Sequence, residues 1–170
     1  MSIPAGGIDP ETINPPDAIA ALRSFPRRWR SALALVADDP SASELVRRRT
    51  GDSWSALEHA SYTAELLEST REHVLRTRRE ERPNLIGPTG PSGHQGSEDD
   101  ALDTALAAIG QHAPALADAL DELPAEDWRR SATVDGGETT ILSMARRSVA
   151  ESANHLRAAE QALHAGRGTR

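Results

Sequence analysis

The strongest constraint on the fold is a helical repeat of apolar residues in the second half of the chain. Seven apolar side chains recur at alternating spacings of four and three residues: Leu102, Leu106, Ile109, Ala113, Leu116, Leu120 and Leu123. This spacing aligns them along one face of an α-helix for about six turns. Pro114 lies within the repeat, so we expect it to bend the helix or to divide it into two segments.

The segments before this repeat also have helical signals. Residues 17–23 are predicted to form a short helix, after which Ser24 caps a new helix that begins at Pro26 and ends near residue 37. Another short helix is expected over residues 41–48. A long helix is predicted over residues 54–81, with its cap at residue 52 or 53.

Loops and a turn separate the later segments. Residues 84–96 contain two Pro and four Gly, which predicts a long crossing loop between the second and third helices. Residues 135–137 are predicted to form a turn. Thr139 or Thr140 then caps a last helix that ends at Gly166.

The composition favours helices over strands. The chain has 170 residues but only three Trp, one Tyr and one Phe, which leaves little aromatic material for a sheet. We therefore predict an all-α protein, a four-helix bundle formed by one domain over residues 16–165. Residues 1–15 are expected to be a flexible arm, and residues 166–170 a flexible tail.

Charge and residue usage exclude several classes of function. The chain has no cysteine, so a disulfide scaffold, a thiolate nucleophile and a cysteine-based zinc site are ruled out. It has no lysine either, which rules out Schiff-base catalysis by a lysine. The net charge of -7 makes nucleic acid a poor partner. We find no apolar run long enough for a membrane helix and no signal peptide, so we expect a cytoplasmic protein without a membrane partner.

The best candidate for a metal-binding pair lies on the last helix. Glu151 and His155 are four residues apart, so they project from adjacent turns of one face and would meet a single ion. The alternative is an ordinary contact on the helix surface, because Arg147 lies one turn before Glu151 and would pair with it.

A second candidate pair lies on the helix over residues 54–81. His59 and Tyr62 are three residues apart, and a phenol beside an imidazole would act as acid and base or supply further ligands. The alternative is that Tyr62 fills a gap at the end of the bundle with His59 at its rim. Ser148 and Ser152 lie on the same side as Glu151 and His155, without a sign of an activated nucleophile.

Three separated segments, in this order, resemble the DinB-like superfamily, which includes the YfiT-type proteins and relatives of the N-terminal domain of mycothiol-dependent maleylpyruvate isomerase. They are SWSALEHASY at residues 53–62, LDELPAEDW at 120–128 and SVAESANHL at 148–156. The resemblance spans roughly residues 16–165. It implies an up-down-down-up four-helix bundle, often a homodimer, with a divalent metal near one end.

The resemblance also implies a ligand set. Its typical ligands are a His eight residues after the tryptophan and a Glu-x-x-x-His or His-x-x-x-His pair on the last helix. The pair falls on Glu151 and His155, but the position eight after Trp54 is Tyr62. Tyr62 would have to ligate as a phenolate, or His59 would have to substitute for it. Asn154 stands where many relatives have a further His.

Two functions follow from this resemblance. In the first, the chain is a bundle with a partly degenerate metal site that binds a small molecule or a partner and is not an enzyme. In the second, one divalent ion (Zn, Ni, Mn or Fe) held by Glu151 and His155 activates mycothiol or a similar thiol, and the chain is a thiol S-transferase or isomerase. Tyr62 would then complete the site or donate a proton. A nuclease or DNA-binding role, a third reading, disagrees with the acidic charge.

Overall fold

Four long helices and one short helix form most of the described chain. The computed structural model describes residues 8–37, 42–49, 51–90 and 101–167. Its helices are α1 (Pro15–Ala37), α2 (Ala42–Arg47), α3 (Ala56–Arg79), α4 (Ala101–Asp121) and α5 (Ile141–Arg167). Its strands are β1 (Asn84–Leu85), β2 (Ser131–Val134) and β3 (Gly137–Thr140). The predicted four-helix bundle is confirmed, with α1, α3, α4 and α5 as its long helices.

The order of the helices around the bundle places α3 between α4 and α5. Helix α1 packs against the same two helices, whereas α1 and α3 make few contacts with each other. Thus the first two long helices lie diagonally across the core. Most of the largest completely buried side chains come from α1, α3 and α4; these include Leu22, Phe25, Trp29, Leu33, Leu67, Ile109 and Leu116.

Helix α1 is continuous where the sequence predicted a break. Pro26 lies inside it, and the Ser24 hydroxyl donates a hydrogen bond to the carbonyl of Ala21 (2.7 Å) instead of capping a new helix. A proline inside a helix costs about 3 kcal/mol. Burial of one large apolar side chain contributes about 1.5–3 kcal/mol. Phe25 and Trp29, on the buried face, together outweigh the lost hydrogen bond.

Two other helices differ from prediction in detail. Helix α4 is also continuous, through Pro114, and therefore is not divided. Helix α3 starts later than predicted, because its N-cap is Ser55. The hydroxyl of Ser55 accepts a hydrogen bond from the backbone of Glu58, whose carboxylate in turn accepts one from the backbone of Ser55. This capping box leaves Trp54 just outside the helix.

A small three-stranded sheet lies beside the helices and was missed by the composition argument. Strand β1 pairs in parallel with β2, and β2 pairs antiparallel with β3. The predicted turn at residues 135–137 is confirmed as the turn of the β2–β3 hairpin. Asp135 (φ 49°) and Gly136 (φ 82°) both have positive φ, the arrangement of a type I′ turn. Thr140 then caps α5 as predicted, because its hydroxyl accepts from the backbone of Ser143 (3.2 Å).

The ends of the domain extend beyond residues 16–165. Pro10–Thr12 form a helical turn, and Ile13 is buried, in a region expected to be a flexible arm. Arg146 of α5 donates from Nε to the carbonyl of Ile13 (2.7 Å). Gly166, placed in the expected tail, belongs to α5, whereas residues 1–7 and 168–170 lie outside the described residues. Within the described ranges, we find no helix with the length and hydropathy needed to cross a membrane.

Candidate functional site

The start of α3 positions the predicted His59 and Tyr62. The capping box orients the first turn of α3, and the Arg49 guanidinium binds the Glu58 carboxylate of that box. His59 and Tyr62 follow within the next turn and face α5. The polar residues that begin α3 thus determine where the site lies at this end of the bundle.

Four rings form a cluster that we call the aromatic cluster: Trp54, His59, Tyr62 and His155. The indole of Trp54 stacks on the imidazole of His155 with 5.5 Å between ring centroids and 12° between planes. The Tyr62 ring lies 4.8 Å from that of His155 and 5.3 Å from that of Trp54. The cluster joins the loop before α3 to the middle of α5, so the sequence-predicted His59, Tyr62 and His155 are brought together.

The two histidines of the cluster contact each other directly. Nδ1 of His59 and Nδ1 of His155 are 2.8 Å apart, a hydrogen bond in which one ring must donate and the other accept. Burial and, to a smaller extent, the neighbouring His59 together lower the pKa of His155 to about 4. Burial also lowers the pKa of His59. Both rings are therefore neutral at neutral pH.

Glu151 does not join these histidines. Its Oε1 is 3.1 Å from Nε of Arg147. Glu151 therefore forms the ion pair with Arg147 that the sequence offered as the alternative to a metal site. Burial raises the pKa of Glu151, and the charge and hydrogen bond of Arg147 oppose this effect. Burial raises the pKa of the Tyr62 phenol, and the nearby charge of Glu151 adds to this effect. A phenolate at Tyr62 is therefore disfavoured.

These residues do not fit the metal site that the resemblance implies. An imidazole that binds a metal directs a ring nitrogen at the ion, about 2.0–2.1 Å away for zinc. Here the two Nδ1 atoms face each other, and Glu151 is paired with Arg147. Among the described residues, no group of three or more His, Cys, Asp or Glu side chains is arranged to hold an ion. His59, the expected substitute for the third ligand, contacts His155 through its Nδ1 atom in this arrangement.

A cleft of about 210 Å³ lies next to the aromatic cluster, between α3, α5 and the small sheet. Tyr62, Arg147, Ser148 and Glu151 line one part of it. The Ser148 hydroxyl is buried, with 1% of the residue exposed, and has no hydrogen-bond partner among the described residues. Ser152 is equally buried and unpartnered, but it does not line the cleft. A lining residue of the cleft, Ser148, therefore has a buried hydroxyl without a partner, and the ion pair of Arg147 and Glu151 belongs to the same part of the lining.

The other part of the cleft was missed by sequence reasoning. His73 is half-buried, and its Nε2 lies 3.1 Å from the carbonyl of Ile86. The Asp135 carboxylate accepts from the backbone of Gly87 (3.1 Å), and a Cβ at residue 87 would lie 2.8 Å from that carboxylate. Only the pairing of β1 with β2 brings these residues together. The one available signal was the Asp-Gly turn, which predicts a hairpin.

Comparisons with known proteins agree with this architecture. A model of the DinB superfamily matches residues 15–159. No curated protein matches the chain. One similar solved structure is that of YfiT from Bacillus subtilis, described as a probable metal-dependent hydrolase with an unusual four-helix bundle topology. It is 14% identical, with a TM-score of 0.73 over 96% of this chain and 93% of that one, so the likeness concerns the fold. By the family match, the chain belongs to the DinB superfamily.

Proposed function

We propose that this chain is a non-catalytic DinB-type bundle whose cleft binds a small polar molecule without a metal ion. One observation carries the proposal, namely the direct hydrogen bond between Nδ1 of His59 and Nδ1 of His155. It holds the Nδ1 atoms of the two rings against each other, so these two atoms are not directed at a common ion.

The neighbouring cleft supplies the reason for proposing a ligand. A buried hydroxyl without a partner costs about 1–3 kcal/mol. A ligand that hydrogen-bonds to Ser148 would recover this energy. Arg147 and Glu151 offer a positive and a negative group at the same part of the cleft, and Met144 and Leu66 offer apolar contacts. This set favours a small molecule with polar groups on an apolar frame.

The alternative function is a metal-dependent thiol S-transferase or isomerase that uses mycothiol. Its support is membership of the superfamily and the likeness to YfiT, a protein described as metal-dependent. The donor set argues against it, because the two imidazoles are bonded to each other through Nδ1 and Glu151 is paired with Arg147. Among the described residues, no three His, Cys, Asp or Glu side chains converge as an open metal site requires.

Metal content separates the two functions. The untagged protein, purified without chelator, is measured by inductively coupled plasma mass spectrometry beside Tyr62→His and a control, Tyr62→Phe. We expect far less than one equivalent of metal in the wild type and in Tyr62→Phe, and more in Tyr62→His. Near-stoichiometric Zn, Ni, Mn or Fe in the wild type, with thiol transfer to a model electrophile above background, would refute the proposal.

Ligand binding is tested with a library of small polar metabolites, screened by ligand-observed NMR. A ligand of the cleft should bind Ser148→Ala at least about fivefold more weakly, since one hydrogen bond contributes about 1 kcal/mol. Ser61→Ala is the control, because this half-buried serine does not line the cleft. Hits that bind wild type and Ser148→Ala equally well would place the ligand elsewhere.

A further inference from the structure

A second groove, separate from the cleft, runs between α1 and α5. Its volume is about 540 Å³, within the range of small-molecule sites. Three arginines line it: Arg27 and Arg28 from α1, and Arg157 from α5. It shares no lining residue with the cleft.

Among the described residues, the guanidinium groups of this arginine groove lack anionic partners. Within the described part of the chain, none of the three forms an ion pair or a hydrogen bond, although Arg146 and Arg147 on the same helix α5 both pair with carboxylates. Arg28 lies over the ring of Phe25, 5.5 Å from its centroid, which holds that guanidinium at the wall. Glu160 also lines the groove, without an ion pair to any of them.

Three like charges around one groove repel each other, and an anion placed between them removes this cost. The planar fork of an arginine matches the oxygens of phosphate and carboxylate groups. The rest of the lining is partly apolar, with Ala32, Ala153 and Leu156 in contact with the space. The groove therefore suits a charged group joined to an apolar one.

We propose that the arginine groove binds a small organic anion, a phosphate or carboxylate carried on a short apolar body. An extended polyanion does not suit it, because three arginines form too short a cationic surface on a chain with a net charge of -7. The proposal is independent of the ligand and the metal content of the cleft.

Isothermal titration calorimetry at low ionic strength tests the proposal with phenyl phosphate as the probe. We expect phenyl phosphate to bind Arg27→Gln/Arg157→Gln at least about tenfold more weakly than the wild type. A single hydrogen bond to a charged group already contributes about a tenfold change in affinity. Arg71→Gln/Arg79→Gln removes the same charge from exposed arginines of α3 and should bind like the wild type. Salt should weaken binding.

Further variants and probes keep the test decisive. Arg28→Gln alone replaces an exposed side chain and should also weaken binding, which covers the case in which the double variant fails to fold. Inorganic phosphate should bind more weakly than phenyl phosphate, and benzyl alcohol should not bind. A loss of affinity in Arg147→Gln as large as that in Arg28→Gln would place the probe in the cleft and overturn the proposal. No binding at millimolar phenyl phosphate, or equal losses in the α1–α5 and α3 variants, would overturn the proposal.

Discussion

The histidine pair predicts that the fold loses stability in mildly acidic solution. His155 has a pKa of about 4 in the fold, because it is buried and lies 2.8 Å from His59. In the unfolded chain a histidine has a pKa of about 6.5. Since the folded value is the lower one, protons favour the unfolded chain. The contribution of His155 to stability is complete above pH 6.5 and is lost as the pH falls towards 4.

The size of the effect follows from these two pKa values. Each tenfold change in proton affinity is worth about 1.4 kcal/mol, so the full difference between the folded and unfolded pKa of His155 corresponds to about 3 kcal/mol of unfolding free energy. At pH 5.0 about 2 kcal/mol of this is already lost relative to pH 7.5. The pKa of His59 is lowered too, by burial, so the loss in the wild type is at least this large. Against a typical total of about 5–15 kcal/mol, the change is readily measured.

Urea unfolding, followed by circular dichroism at pH 7.5 and 5.0, measures the effect. The variant His155→Gln removes the titrating group, so its free energy of unfolding should fall by about 2 kcal/mol less than that of the wild type between the two pH values. His164→Gln, on the exposed surface of α5, is the control and should follow the wild type. Equal pH dependence in wild type and His155→Gln would refute the reasoning.

Three further predictions concern the elements that hold the site. Ser55→Ala removes the N-cap of α3 and should lower the free energy of unfolding by about 1 kcal/mol in urea titrations. An unchanged or higher free energy of unfolding would contradict the stabilising role of the capping box. Gly136→Ala places a Cβ at φ 82° and should cost about 1 kcal/mol, whereas Gly137→Ala, without a positive φ, should cost less by the same assay. Phe25→Ala should cost about 3–5 kcal/mol, and a loss below 1 kcal/mol would show that the buried face of α1 does not hold Pro26 in a continuous helix.

Residue spacing along a helix predicted only part of the contacts in the candidate site. Spacing on one helix identified Glu151 with His155 and His59 with Tyr62 as pairs. The structure instead joins His59 to His155, which are 96 residues apart in the chain, and pairs Glu151 with Arg147. Spacing within a helix determines which side chains share a face, but the packing of α3 on α5 decides which of them meet.

The departures in secondary structure have the same origin. Ser24 and Pro26 are local signals for a helix boundary. Helix α1 nevertheless continues through them, because burial of Phe25 and Trp29 in the core stabilises the continuous helix. The strands were missed because composition was averaged over the whole chain. Four β-branched residues, Thr133, Val134, Thr139 and Thr140, flank one Asp-Gly turn, and β1 forms only by pairing with β2.

The sequence by itself determined the helical class, the apolar faces and the position of Tyr62 eight residues after Trp54, because these depend on residue identity and on periods along one helix. Only the tertiary structure decided that His59 bonds to His155, that the sheet closes a cleft beside Ser148 and that three arginines line one groove. Each of these depends on distances between elements far apart in the chain. Such distances are set by the packing of the whole core, which no local pattern specifies.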